Sequence, residues 1–168
     1  MPIRKYVITL TDAELALCQV EAQARVQRAI ENNYQHRETN TVPINDPHNA
    51  TGHYRGRVTE LAVAKYFDCD YEPDGPCDRT KFDLLNGCEV RSNKYQWGHL
   101  IVHTWDKPAP YVLCTVTDNA NEFIIAGWRD LADCQLDKYW RTDVPAAAYF
   151  VPQSDLHDMA TLKERLSV

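Results

Sequence analysis

The 168-residue chain lacks the features of membrane-spanning, secreted and strongly cationic proteins. No apolar run approaches the roughly 20 residues of a membrane-spanning helix, and the first residues lack the apolar core and cleavage site of a signal peptide. The formal net charge of −6 argues against a chain that coats nucleic acid by bulk charge, although it leaves room for a local basic groove. We therefore expect a cytoplasmic protein with no membrane partner.

The chain also lacks a Cys-x-x-Cys pair, although it has six cysteines. Ordinary zinc-ligand spacing is therefore absent, and a site built from Cys69, Cys77 and Cys88 with a histidine is the less favoured alternative. Most of the cysteines stand among apolar neighbours, as in "AELALCQV" and "YVLCTV". This setting predicts reduced, buried thiols.

The composition is that of an ordinary globular domain, with 44% hydrophobic and 25% charged residues. A strand is predicted at 4–10, and Thr11 and Glu14 form a capping box that begins a first helix. The polar segment 34–53 predicts a long loop, and 54–67 a second helix. Further predicted elements are strands at 81–85, 88–95, 99–104, 110–117, 122–128 and 146–151, a short helix at 129–139, and a closing helix capped by Ser154.

The segment 81–95, "KFDLLNGCEVRSNKY", predicts two strands joined by a tight turn, with an acid on each strand. A two-residue turn would place the two acids on opposite faces of the sheet. A three-residue loop at 85–87 fits better, because Gly87 then falls where such loops commonly have a left-handed residue. This alternative sets the register used below.

In the three-residue register, Asp83 lies opposite Glu89, and both share one face with Arg91. Two carboxylates directly opposite each other repel, and a divalent cation is a natural compensation. A hairpin whose polar face is simply solvated is the alternative. The other face is predicted to be core and consists of Phe82, Leu84, Cys88 and Val90.

The order of an acid on a helix, an acid on a strand and Glu-x-(basic) on the next strand resembles the PD-(D/E)XK nuclease superfamily. The matching residues are Glu60 in "GRVTELAVAKYF", Asp83 in "KFDLLNG", and Glu89, Val90 and Arg91 in "CEVRS". The first of these segments is similar to the first helix of small phage members. "HLIVHTWDKPAPYVLCTV", "FIIAGW" and "AYFVPQSDLHDMATL" are similar to their later strands and closing helix.

The resemblance covers about residues 53–166 and implies a restriction-endonuclease-like core. The expected fold class is α/β, in the α+β sense, with a central mixed β-sheet flanked by helices. We expect a single domain over 1–168. Within it, 1–52 contains the N-terminal strand, helix and long loop, and 53–168 forms the nuclease-like core.

The activity that the resemblance implies is metal-dependent hydrolysis of phosphodiester bonds, by an enzyme encoded by a phage or another mobile element. Asp83, Glu89 and the carbonyl of Val90 would hold Mg²⁺ (or Mn²⁺), and Glu60 would reach the ion directly or through water. Arg91 would contact the scissile phosphate. The expected catalytic residues are Glu60, Asp83, Glu89 and Arg91.

Two positions depart from the superfamily motif. The literal Pro-Asp pair, Pro73-Asp74, falls in a Gly/Pro-rich loop, so Asp83 is preferred as the strand acid although Phe82 precedes it. Arg91 stands where the superfamily has lysine, and arginine stays protonated and cannot deprotonate water. The alternative function is therefore a catalytically inactive nuclease-like module that binds nucleic acid or a host protein. A small interaction protein with a coincidental acid cluster is a third interpretation.

Basic residues gather on both sides of the predicted acids, at 53–67 and 90–107. A basic rim around an acidic metal centre suits a nuclease groove. Contacts to nucleic acid, with DNA favoured over RNA, are expected from Arg55, Arg57, Lys94, His99 and His103. A homodimer is left open. Three aromatic residues could stack on bases but are expected more often to be core, namely Tyr95, Trp97 and Trp105.

Overall fold

A computed structural model of the chain describes residues 4–31, 47–70, 82–84 and 86–167. The strands are β1 Tyr6–Thr9, β2 Glu89–Asn93, β3 Leu100–Val102, β4 Pro110–Val116, β5 Glu122–Asp130, β6 Trp140–Arg141 and β7 Ala148–Val151. The helices are α1 Asp12–Glu31, α2 Pro47–Phe67, α3 Leu131–Cys134 and α4 Met159–Leu166, with short 3₁₀ helices at Asp137–Tyr139 and Gln153–Asp155. Of the helices in these ranges, none is long and apolar enough to cross a bilayer.

The centre of the fold is a mixed four-stranded sheet in the order β1-β5-β4-β2. β2 and β4 run parallel, whereas the other two pairs are antiparallel. A second, antiparallel sheet has the order β3-β7-β6. The predicted α+β class, with a central mixed sheet flanked by helices, is confirmed.

Strand β4 separates two hydrophobic clusters because both of its faces are buried. Val112 and Cys114 pack in one cluster with helix α2, which contributes Val58 and Ala62. Tyr111 and Leu113 pack in the other cluster, with residues of β3 and β7. Helix α2 and the second sheet therefore cover opposite faces of the central sheet.

The first helix begins as its sequence predicts. The Thr11 amide donates to Glu14 Oε1 (2.9 Å), and the Glu14 amide donates to Thr11 Oγ1 (3.1 Å), which completes the capping box. The second helix begins earlier than predicted, at Pro47, so a loop at 47–53 is wrong. Proline is tolerated in the first turn of a helix because the missing N–H has no intrahelical partner there. The remaining predicted loop, 34–46, lies outside the described residues.

The predicted hairpin forms only in part. Of the predicted strand 81–85, residues 82–84 are described and form no strand, with a bend at 83 and 84, and β2 pairs with β4 instead. The loop itself has the expected register, because the Leu84 amide donates to the Cys88 carbonyl (3.1 Å) and Gly87 has a φ of +90°. The predicted core face is also largely correct, but Phe82 is 45% exposed.

Two predictions near the C-terminus are wrong in detail, and one short strand was missed. Asp158, not Ser154, caps the closing helix, and its Oδ1 accepts the Ala160 amide (2.8 Å). The predicted helix at 129–139 breaks into α3 and a 3₁₀ helix because β5 extends to Asp130. The two-residue strand β6 was not predicted, and its short length leaves no periodic signal.

The five cysteines in the described ranges are free thiols, and four of them are buried. Burial raises the pKa of Cys88 and of Cys134 to about 12, so both remain protonated at neutral pH. Cys77 lies outside the described residues. The expectation of reduced thiols is therefore confirmed for the five cysteines that the structure describes.

Two glycines make a matched test of the tight loop. We expect Gly87→Ala to lower the free energy of unfolding by about 1 kcal/mol, because an L-residue disfavours positive φ. Gly56→Ala, inside α2, should raise it by up to about 1 kcal/mol through helix propensity. A Cβ at either position meets no described atom within 4 Å, so packing contributes to neither effect. Urea denaturation measures both, and equal stability of Gly87→Ala and wild type would contradict the left-handed loop.

Candidate active site at the start of strand β2

Five charged side chains meet where β2 begins, and we call them the β2 cluster: Asp83, Glu89, Arg91, Asp106 and Lys107. Arg91 Nη1 lies 3.6 Å from Glu89 Oε2 and 3.9 Å from Asp83 Oδ2. Arg91 Nη2 lies 3.1 Å from Asp106 Oδ1, and Lys107 Nζ lies 2.7 Å from Glu89 Oε1. The structure thus brings together the three residues that the sequence placed on one face and adds two more.

The alternation of side chains along β2 places Glu89 and Arg91 on one face. The Arg91 guanidinium lies 4.8 Å from the centre of the Tyr111 ring on the neighbouring strand β4. Val90, between them, points the other way and packs in the cluster that contains α2. The β2 cluster therefore lies on the face of the sheet away from α2.

Asp83 enters the cluster from the loop before β2. Its Oδ2 accepts the backbone N–H of Val90 at 2.8 Å. This side-chain bond takes the place of the strand pairing predicted for 81–85, as short acidic side chains often do at turns. Asp83 is thereby held beside Glu89 without a β-ladder between the two segments.

Glu89 is the member of the β2 cluster whose surroundings disfavour its charged form. Burial, a hydrogen bond with Asp83 and the charge of Asp83 raise the pKa of Glu89 to about 8, although Lys107 and Arg91 oppose the shift. Its side chain is only 6% exposed. At neutral pH the Glu89 carboxyl group is therefore mostly protonated, chiefly because burial disfavours its charged form.

Asp106 anchors Arg91. Burial alone would raise the pKa of Asp106, but hydrogen bonds from His103 and the charge of Arg91 lower it. The His103 amide donates to Asp106 Oδ2 at 2.8 Å. Burial alone would likewise lower the pKa of Arg91, whereas the nearby acids, with Asp106 the largest, raise it. Arg91 is a fixed cation and cannot act as a base.

Lys107 and Asp106 were not predicted as site residues. Both precede β4, and β4 runs parallel to β2, so the residues before β4 and the first residue of β2 meet at one edge of the sheet. The sequence predicted that 81–85 would pair with 88–95, and this pairing does not bring the residues before β4 to Glu89. A signal that could have found them is the "DKPAP" segment just before the most apolar strand.

Glu60 forms a buried ion pair within helix α2. Its Oε2 is 3.3 Å from Arg57 Nη1, and both charges act on Cys18 of α1. Helix α2 covers the opposite face of the sheet from Glu89. A role of Glu60 in holding a metal ion stays a prediction.

The predicted nucleic-acid contacts differ widely in exposure. Arg57 is fully buried and offers no surface to a nucleic acid in this conformation. His103 is also buried and stacks on Trp105 with ring centres 4.6 Å apart. Arg55 Nε donates to Ser92 Oγ at 3.2 Å and is half-buried. The remaining two, Lys94 and His99, are exposed and half-buried, respectively.

The β2 cluster suits a hard divalent ion by its chemistry. Among the described residues, no three His, Cys, Asp or Glu side chains are arranged to hold a metal. Mg²⁺ needs fewer protein ligands, since it commonly takes one or two carboxylates and completes its shell with water and substrate phosphate. Asp83, Glu89 and the Val90 carbonyl supply such oxygen ligands. A divalent ion would also offset the burial and the nearby Asp83 charge that together raise the pKa of Glu89.

The chain was compared with protein-family models, with curated proteins and with solved structures, and none of these comparisons found a match.

Proposed function

We propose that this protein is a metal-dependent nuclease that hydrolyses phosphodiester bonds, with DNA favoured over RNA, and that a phage or another mobile element encodes it. The observation that supports this proposal most is the pair of carboxyl groups of Asp83 and Glu89, which lie side by side next to the two cations Arg91 and Lys107. Burial, together with the neighbouring Asp83, raises the pKa of Glu89 to about 8. Strongly shifted pKa values from burial and a specific charge partner are typical of functional sites. Mg²⁺ or Mn²⁺ is the expected ion.

Each member of the β2 cluster has a role in this proposal. Asp83, Glu89 and the Val90 carbonyl would hold the ion, which supplies an acidified water and shields the charge on the phosphate. Arg91, fixed by Asp106, presents a permanent cation to the phosphate. Lys107, whose Nζ lies 2.7 Å from Glu89 Oε1, would orient the attacking water beside the ion.

A second candidate is a binding module of the same fold without turnover, with nucleic acid or a host protein as its partner. One observation favours it: Arg91 and Lys107 already lie against the carboxylates that would attract a metal ion. The two candidates differ in whether an ion enters the β2 cluster.

Metal binding is expected to release a proton. With a Glu89 pKa of about 8, Mg²⁺ binding should release about 0.9 proton at pH 7 and about 0.1 at pH 9. Calorimetry in two buffers of different ionisation enthalpy measures this number.

Glu89→Gln should remove the proton release, whereas Asp143→Asn, at an exposed pair with Arg141, should leave it unchanged. Mg²⁺ that fails to bind, or binds without proton release at pH 7, would favour the binding module.

A further inference from the structure

The loop between β2 and β3 holds two large aromatic side chains in solvent. Tyr95 is 63% exposed and Trp97 is 73% exposed. They belong to residues 94–98, which we call the 94–98 loop. The sequence favoured core positions for both and left base stacking as the alternative. Leaving so much aromatic surface in water is unfavourable, and grouped exposed apolar side chains usually mark a binding surface.

Hydrogen bonds hold the 94–98 loop in place from both sides. Asn93 Oδ1 accepts the Tyr95 amide (2.9 Å), and Asn93 Nδ2 donates to the His99 carbonyl (3.1 Å). Gln153 Nε2, which follows β7, donates to the carbonyls of Gln96 and Gly98, both at 2.9 Å. The exposure of the rings is therefore built into an ordered loop.

Gly98 shows how closely this loop is packed. A Cβ at Gly98 would overlap the side-chain amide of Asn93, so a side chain there would displace the asparagine that closes the loop. This contact provides a way to disturb the loop without removing either aromatic ring.

Two lysines accompany the rings. Lys5 Nζ lies 4.4 Å from the centre of the Trp97 ring and donates to Gln153 Oε1 at 2.6 Å. Lys94 Nζ lies 5.1 Å from the Tyr95 ring. Within the described ranges, neither lysine forms an ion pair with a carboxylate. In a chain of net charge −6, this is a local patch of positive charge joined to aromatic faces.

We propose that the 94–98 loop, together with Lys5, binds single-stranded nucleic acid, with bases stacked on Trp97 and Tyr95 and phosphates at Lys5 and Lys94. Aromatic platforms with interleaved cations bind single strands without strong sequence preference. A duplex fits poorly, because its bases are already stacked on each other.

This inference names a substrate class for the proposed function. It rests on that function, because it takes the bound single strand to be the substrate of the nuclease. Strand β2 leads directly from the β2 cluster to the 94–98 loop, and its five residues span about 16 Å. A single strand held on Trp97 could therefore extend along the edge of the sheet towards Arg91.

The test is binding of a fluorescently labelled oligothymidylate in EDTA, followed by anisotropy, because no cleavage occurs without metal. Trp97→Ala should weaken binding about tenfold or more, and Gly98→Ala should weaken it although both rings are retained. Trp140→Ala, at an exposed tryptophan on β6, is the matched control and should change little. Lys5→Met should lower the slope of log affinity against log salt by about 0.7, the share of one phosphate on a single strand.

The proposal would be overturned if Trp97→Ala bound the oligothymidylate as tightly as the wild type does. It would also be overturned if the wild type bound a duplex of the same length equally well. Either result would point to a protein contact for the exposed rings. Asp83→Asn separates this inference from the proposed function. Retained oligothymidylate binding by Asp83→Asn, with a wild type inert on all substrates, would leave the binding site standing and remove the nuclease. If the wild type cleaves nucleic acid and Trp97→Ala does not change binding, the nuclease would stand and the binding site on the 94–98 loop would be removed.

Discussion

Asp83→Asn and Glu89→Gln are each expected to lower Mg²⁺-dependent cleavage of nucleic acid by about a thousandfold or more. Each substitution would remove a negative ligand oxygen from the proposed ion, and a metal ion in such a site contributes several kcal/mol to charge stabilisation in the transition state. Both amides keep the shape of the acid, and the side-chain oxygen in Asp83→Asn could still accept the Val90 amide, so the fold should persist. Cleavage of labelled DNA and RNA with Mg²⁺ and with Mn²⁺ measures the effect.

The pH dependence of stability provides an internal control for these variants. The raised pKa of Glu89 means that the folded protein holds a proton more tightly than the unfolded chain. This stabilisation is fully present below the ordinary pKa of about 4.5 and is lost as the pH rises through about 8. Glu89→Gln should therefore gain stability relative to wild type between pH 5 and pH 9, as thermal unfolding would show.

Substitutions of the two cations of the β2 cluster, Arg91 and Lys107, distinguish a role in catalysis from a role in charge compensation. Arg91→Lys should keep or raise hydrolysis, since lysine retains the charge and can also serve the attacking water. Lys107→Met should lower hydrolysis by about a hundredfold while Mg²⁺ affinity is kept. A wild type that is inert with either metal, and still inert after Arg91→Lys, would refute the nuclease and leave the binding module.

Glu60→Ala is expected to lower the free energy of unfolding by about 3 to 5 kcal/mol without changing Mg²⁺ affinity. Glu60 Oε2 lies 3.3 Å from the guanidinium of Arg57, which is fully buried. Removal of one partner of a buried ion pair costs more than the pair contributes, because it weakens the neutralisation of the remaining charge. Chemical denaturation and calorimetry with Mg²⁺ measure the two quantities.

Two controls frame this result. The double variant Arg57→Met with Glu60→Leu should recover much of the lost stability, since apolar side chains of similar volume can replace a buried pair. Asp143→Ala removes one partner of the exposed pair with Arg141 and should leave stability unchanged. Unchanged stability of Glu60→Ala together with lost Mg²⁺ binding would instead make Glu60 the metal ligand that the superfamily resemblance implies.

Local features of the fold were predictable from the sequence because their causes lie within a few residues. The capping box at Thr11, the left-handed Gly87 and the burial of Leu84 depend on side-chain chemistry and steric preference at short range. The approach of Asp83 to Glu89 also followed from loop length. Such short-range interactions can be predicted directly from the order of residues.

The partner of strand β2 and the burial of α2 could not be predicted in this way. The sequence suggested that 81–85 would pair with β2, but β4 lies there and brings Asp106 and Lys107 with it. Which strands become neighbours depends on how the apolar faces of distant segments are buried together, and no local pattern records that choice. The same long-range packing buried Arg57 and left Trp97 in solvent. The sequence by itself thus determined most of the elements and the approach of the two acids, whereas the tertiary structure decided which cations surround them.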